Sequence, residues 1–277
     1  MKIRHLAVAL LLVGALLAAV LASTSCGKSS QFGGVALDLL QGVPVEAVSY
    51  SYWDIRQMED DQDLAQILDA WRDANENDLQ SFAIDATKIK HAVQFSMPEG
   101  VAIIIKGDQN RNDLRTDLEA LHFDEQDFRQ EEIWKNEEDT QWLSILGDLI
   151  VAGERNLVMD CIRVAKGEPS LYDDSIVRSL AEKLRTGVTV YIKTHTIEET
   201  PYEGLEATGI SVWKMNSSEL SARMVFTFRT TGDAAAILQT LADDVDEFYD
   251  KVNAERDGRV ATIEARIEID DFEIWPA

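Results

Sequence analysis

The sequence predicts an α+β fold: two related units of largely antiparallel sheet, with amphipathic helices packed on one side. Three observations carry that expectation. Period-two runs, such as Ile89, His91, Val93, Phe95 and Met97, alternate along the chain with helical stripes, such as Leu64, Ile67, Leu68 and Trp71. Short polar turns join the runs, and short joints suit antiparallel neighbours because parallel strands need long crossovers. A strand, a Gly-Asp step and an apolar helical stripe occur twice, at Val101 to Gly107-Asp108 and at Ala222 to Gly232-Asp233, which suggests an internal repeat.

Taken in order, the chain opens with Lys2 and Arg4 before an unbroken apolar run from Leu6 to Ala22, followed by Ser23-Thr24-Ser25-Cys26. The run is short for a spanning helix, and small residues before a cysteine mark a cleavage site, so residues 1–25 read as a secretory signal. The segment Leu21-Ala22-Ser23-Thr24-Ser25-Cys26 resembles the lipobox of bacterial lipoproteins, with Ser23 in place of the usual leucine-like residue. That resemblance implies a lipid on Cys26. Residues 26–44 begin small and polar and are expected to form a tether, with a first α+β unit over 45–170 and a second over 171–277.

Within the first unit a helix is expected over roughly 60–78, with acids at its start where they favour the helix dipole. The alternating run 89–97 reads as a half-buried strand, and Pro98-Glu99-Gly100 turns the chain into Val101-Ala102-Ile103-Ile104-Ile105, apolar on both faces and therefore central. Leu114, Leu118 and Leu121 mark a helix; strands follow at about 130–135 and 141–152, the latter divided at Gly147-Asp148 by a hairpin turn. Val158, Cys161, Ile162 and Ala165 share one helical face, so Cys161 reads as a buried small hydrophobe rather than a nucleophile. Lys166-Gly167-Glu168-Pro169-Ser170 is the interior boundary.

In the second unit Ile176, Val177, Leu180 and Leu184 give a helix, and Val188, Val190 and Ile192 a strand. Ile210 with Val212, then Ala222 to Phe228, give two more strands. Leu238, Leu241, Val245, Phe248 and Val252 stripe a long helix, and Ala261 to Ile269 form a final strand with charged residues on its other face.

The chain carries a formal charge of −24, and the signal holds basic residues but no acid, so the remainder is more acidic still. Such a surface repels phosphate backbones, which excludes nucleic acid as a natural partner and agrees with solubility beside a membrane or in a saline medium. With Cys26 acylated, Cys161 is the cysteine that remains and no internal disulfide can form.

These folding patterns resemble a bacterial family of secreted or lipid-anchored proteins, the domain of unknown function 3352, over roughly residues 35–200. The resemblance lies in Val101-Ala102-Ile103-Ile104-Ile105-Lys106-Gly107-Asp108 before a helix, and in Leu146-Gly147-Asp148-Leu149-Ile150-Val151-Ala152-Gly153 before Val158 and Ile162. It implies an extracytoplasmic location and no established activity. It lends no catalytic residue.

A search for chemistry yields few sites. Asp108, Asn110 and Asn112, with Glu119 further on, match the spacing of a calcium loop, although Asp113 stands where the turn wants glycine and Glu119 falls on the predicted helix. The competing account is that Asn112 or Asp113 caps that helix. The acids Glu59, Asp60, Asp61 and Asp63 have a structural explanation at a helix start. His91, His122 and His195 lack a second metal or triad partner at helical or strand spacing. Tyr50, Tyr52, Trp53, Trp134, Trp142, Trp213 and Trp275 are candidates for an aromatic binding face, with Trp213 the foremost.

The expected protein is a lipid-anchored, extracytoplasmic, non-enzymatic binding or envelope-associated module. An exported carboxylate-dependent hydrolase is the alternative. The expected partner is the membrane, through the lipid, and no cofactor is expected beyond that lipid and the calcium the loop suggests. A broad sheet face bearing aromatics favours the first reading, and a cleft with two facing carboxylates and a raised pKa the second.

Overall fold

Alternation of apolar and polar side chains builds the sheet that dominates the computed structural model, which describes residues 32–195, 202–246 and 250–272. Its strands are β1 (Ser49–Trp53), β2 (Ile89–Met97), β3 (Gly100–Gly107), β4 (Asp124–Phe128), β5 (Glu131–Lys135), β6 (Trp142–Leu146) and β7 (Leu149–Gly153) in the first half. The second half contributes β8 (Thr189–Thr194), β9 (Leu205–Lys214), β10 (Glu219–Phe228), β11 (Asp250–Asp257) and β12 (Val260–Glu268). All join one antiparallel sheet of 12 strands in the order β11-β12-β10-β9-β8-β1-β2-β3-β7-β6-β5-β4. The helices are α1 (Val35–Leu40), α2 (Ile55–Asp60), α3 (Ala65–Ser81), α4 (Arg111–Ala120), α5 (Arg155–Ala165), α6 (Ser175–Ala181) and α7 (Thr231–Asp246). The class is α+β, as the sequence predicts.

Helices cover both faces of the sheet instead of one. The central strands dictate this: on β3, Ile104 and Ile105 point to opposite sides and both are buried, so each side needs its own cover. One apolar layer packs Met58 of α2, Trp71 of α3, Leu118 of α4 and Leu241 of α7 against Ala92, Ile105, Met224 and Ile263. The other packs Leu39 and Leu40 of α1, Val158 and Ile162 of α5, and Leu180 of α6 against Phe95, Ile104, Val190 and Ile192.

The two halves meet at β1, which pairs with β2 on one side and with β8 on the other, both antiparallel. Each half runs through the same steps. A helix of the second layer leads into the central strand (α1 to β1, α6 to β8), a hairpin follows (β2-β3, β9-β10), and a helix of the first layer then carries the chain outward (α4, α7). The chain returns as a meander whose last strand pairs with the hairpin: β7 with β3, and β12 with β10. The first half inserts α2 and α3 between β1 and β2 and has a longer meander.

Several sequence expectations are corrected. Residues 35–44 belong to the fold and not to a tether, because Ala36, Leu39, Leu40 and Val43 form a fully buried stripe. The helix expected over roughly 60–78 is α3, which begins later, at Ala65 after a short 3-10 turn over Gln62–Leu64, and runs to Ser81; Asp60 closes the separate helix α2, and the extended backbone of Asp61 ends it. The long helix is described as far as Asp246 and Val252 lies on β11, so its match to the helical stripe is coincidental; Phe248 lies outside the described residues. Leu121 sits past the end of α4 and is 47% exposed. The two Gly-Asp steps are not equivalent: Gly107 ends β3, whereas Gly232 and Asp233 are in the first turn of α7. There Asp233 accepts from Thr230 N while its own N–H donates to Thr230 Oγ1, a reciprocal cap.

Candidate functional site

The second-layer side of the sheet is apolar beneath α6 and becomes polar beyond it. Gly209 lets α6 close onto β9, since a Cβ there would lie 2.2 Å from Leu180 Cδ2. Past α6 the chain crosses the strands. Arg185 N donates to Ser211 Oγ at 3.3 Å, and Arg223 Nη1 donates to the Lys183 carbonyl at 3.2 Å. Register then sets a polar row across three strands: Trp213 opposite Ser221 opposite Arg266, and Ser211 opposite Arg223 opposite Glu264. The residues between them, Val212, Ala222, Met224, Ile263 and Ala265, point to the other side, into the layer that α7 covers.

On this polar face the Arg185 guanidinium lies over the Trp213 ring, 4.5 Å from its centroid. The surrounding cations are paired: Arg223 with Glu264, Arg266 with Glu219 at 3.4 Å, and Lys183 with Asp257 at 3.3 Å. Arg185 differs. Among the described residues no carboxylate lies within ion-pair distance of it, and its Nε is buried without a hydrogen-bond partner. Burial, and then the neighbouring Arg223 charge, pull the Arg185 guanidinium below the ordinary arginine range against the weaker pull of Glu264. An unsatisfied buried donor costs about 1–3 kcal/mol. A stacked indole returns about 0.5–2 kcal/mol of that, so the arrangement is near balance without a ligand.

A second polar group joins the first half of the sheet to α2. Asp54 caps α2 by accepting from Gln57 N at 2.9 Å, and its Oδ1 lies 3.6 Å from His91 Nδ1. The same nitrogen is 3.0 Å from Tyr52 Oη, and the two rings stack with centroids 6.1 Å apart. Burial pushes the Tyr52 phenol up, with the Asp54 charge adding to it. Burial lowers His91, Asp54 pulls the other way, and Lys106 and Arg56 lower it further. A phenol held that high stays protonated at neutral pH. The trio is therefore a brace between β1, β2 and α2, not a nucleophile with its base.

The calcium candidates are not brought together. Asn110 caps α4, accepting from Asn112 N at 3.0 Å and Asp113 N at 3.4 Å, so the cap is neither Asn112 nor Asp113. Glu119 lies near the far end of α4, and at about 1.5 Å per residue the helix separates it from Asn110 by more than two turns. Among the described residues no group of three or more His, Cys, Asp or Glu is placed to hold a metal ion. The acids near residue 60 are ion-paired: Glu59 with Arg72 and Lys90 at 2.7 and 2.9 Å, and Asp61 and Asp63 with Lys214, both at 2.6 Å.

Cys161 is buried, and burial pushes its thiol up, as suits a packed side chain. His122 is exposed with φ of 62°, and His195 Nε2 is 2.9 Å from Thr208 Oγ1. Tyr50, Tyr52, Trp53, Trp134 and Trp142 are core residues, Trp213 is half-buried, and Cys26 and Trp275 lie outside the described residues. Among the described residues the carboxylates with displaced titration, Asp61, Asp85, Glu132, Asp148, Asp173 and Glu219, are held below the ordinary range, led by hydrogen bonds from Lys214, Thr87, Arg115, Lys106, Ser170 and Asn216.

No family model matches the chain. An uncharacterized protein of Methanocaldococcus jannaschii, MJ0635, is 25% identical over 256 residues, covering 90% of this chain and 89% of that one. Among solved structures, crystal form IV of TP0453 has a TM-score of 0.52 at 11% identity, over 83% of this chain and 92% of that one. Crystal form III gives 0.50 at 10% identity, over 84% and 94%. The likeness is one of fold. Its breadth shows that the arrangement recurs at near-full length in a protein of very different sequence.

Proposed function

We propose that this chain is an extracytoplasmic binding module, held to the membrane by a lipid on Cys26, and that it works through the polar sheet face around Trp213 rather than by catalysis. The anchor rests on the charged start, the apolar run and the lipobox-like Leu21 to Cys26. The resemblance to the domain of unknown function 3352 family supports the same address. One observation carries the binding reading: Arg185, stacked on Trp213 at 4.5 Å, has no carboxylate within ion-pair distance among the described residues, where its neighbours are paired. Carboxylate hydrolysis finds less support. Such an enzyme needs one acid held protonated, and among the described residues the carboxylates with displaced titration move the opposite way.

Diacylation of one cysteine supplies two chains, and at about 0.8 kcal/mol per buried methylene that is a stable anchor. The experiment exchanges residues 1–26 for a cleavable secretory signal without cysteine. The expected product is released from washed membranes, while the parent stays with them and is digested by protease added to intact or outer-membrane-permeabilised cells. A processed product that still sediments wholly with membranes contradicts the anchor.

A further inference from the structure

We infer that the side of the sheet covered by α1, α5 and α6 is a contact surface for anionic lipid headgroups, so that this side lies against the membrane and α3 and α7 are turned away from it. The inference rests on the binding-module reading and names its partner. The chain enters the fold on this side: Phe32 packs in the second layer, and its N–H donates to the Leu184 carbonyl at 3.2 Å. Phe32 follows Cys26 by six residues, a reach of about 20 Å at most when fully extended. A lipid on Cys26 therefore holds this side near the headgroups.

Charge separates the two sides. On the first, α3 carries Asp69, Asp73, Glu76 and Asp78 against Arg72, and α7 carries acids without a cation. On the second, α1, α5 and α6 together carry Arg155, Arg163 and Arg178 against Asp38 and Asp160. The sheet sets the two helix layers about 20 Å apart, more than two screening lengths of about 8 Å, so the acids of the far side do little to repel a surface that touches the near one. The arginine–aromatic contacts among the described residues fall on the near side too. Arg155 lies over Trp142 at 5.1 Å, Arg178 over Tyr172 at 5.3 Å, and Arg129 and Arg163 over Phe128, both at 5.8 Å, with all three rings in the second layer. A ring against a guanidinium replaces part of its water, so less hydration is lost when a phosphate approaches, and arginine with aromatic rings suits the zone where protein meets headgroups. Arg155 is exposed and has no ion pair among the described residues. Arg178 is 3.5 Å from Asp173 with the side chains 46% and 56% exposed, a pair that water already weakens.

The test uses the chain from residue 26 to 277, which holds the whole compact unit, coupled through the Cys26 thiol to a maleimide lipid; Cys161 is buried and does not compete. The vesicles are phosphatidylcholine mixed with phosphatidylglycerol, and lysines are acetylated by a water-soluble reagent and read by mass spectrometry. Relative to the uncoupled chain in solution, labelling of Lys166 and Lys183, which follow α5 and α6, should slow about fivefold, the factor that one arginine supplies near an anionic surface. Lys90 and Lys214, which pair with acids of α2 and the turn after it, should label at an unchanged rate. High salt should abolish the protection, and Arg155→Glu with Arg178→Glu should do so at an unchanged melting temperature. The salt comparison needs no variant, so a folding defect in the double substitution does not leave the inference untested. Equal labelling with and without vesicles, protection of Lys90 and Lys214 instead, or protection that survives high salt or the double substitution overturns it. Because the lipid is attached chemically, this surface can hold where the membrane-release test fails, and that anchor can hold where this surface fails.

Discussion

His91 is held uncharged at neutral pH because burial opposes its ionisation more strongly than Asp54, 3.6 Å away, favours it. Its pKa in the folded chain is therefore below the 6.5 of the free side chain. As pH falls the unfolded chain takes up this proton first, so the contribution of His91 to stability is complete above about 6.5 and is lost as pH drops through the depressed value. Denaturant midpoints should fall from pH 7 to pH 5, and His91→Gln, which keeps a partner for Tyr52, should flatten that slope. An equal slope in the variant contradicts the brace. The displaced carboxylates act in the same direction but at lower pH, so they do not mask the effect. Asn110 gives a second prediction at this scale: Asn110→Ala should cost about 1 kcal/mol through two lost cap bonds, whether or not calcium is present. A calcium-dependent rise in melting temperature that disappears in the variant would restore the ion-binding reading. The sequence showed the cap region but not the capping residue, since Asn110, Asn112 and Asp113 all suit the role. It could not show Arg185 at all, because its significance comes from Trp213, 28 positions away, and from carboxylates that go to other cations.

Elements with one unambiguous period were legible. The alternation at 89–97 and the doubly apolar run at 101–105 became β2 and β3, and Gly147-Asp148 became the β6–β7 turn. Where the pattern had another cause, the reading failed. β4, Asp-Glu-Gln-Asp-Phe, is an exposed edge strand with almost no apolar side to reveal it, and its charges keep that edge from pairing with other chains. On β2 a register shift between Ile89 and His91 turns Ile89 toward the first layer, although the simple alternation places it with Val93. Close approach of elements also left a trace in glycine. A Cβ on Gly187 would lie 2.2 Å from the Val212 carbonyl oxygen and 2.9 Å from Trp213 Cβ, and backbone has little room to yield. Gly187→Ala should therefore destabilise by about 1–3 kcal/mol, read as a lower denaturant midpoint. A variant as stable as the parent would show that the crossing onto the Trp213 face is looser than described.

At the scale of the molecule, the two halves repeat a topology yet share one sheet through β1 and β8, with Tyr50 opposite Ile192 and Tyr52 opposite Val190. The described residues form one compact unit. Unfolding should consequently be a single transition, with probes at Trp134 in the first half and Trp213 in the second giving coincident curves. Two separated midpoints would mean that the seam is weak and that the halves are independent domains. The repeat was visible in sequence because each half must bury one outgoing helix, but the shared sheet was not, since nothing local marks β1 as a partner of both hairpins. Location is the property on which the functional account turns. The mass of the intact protein extracted from its own membranes tests it most directly: the account predicts a chain that begins at Cys26 and carries the added mass of a diacylglyceryl group. A chain that begins at Met1, or one that begins at Cys26 without lipid, contradicts it.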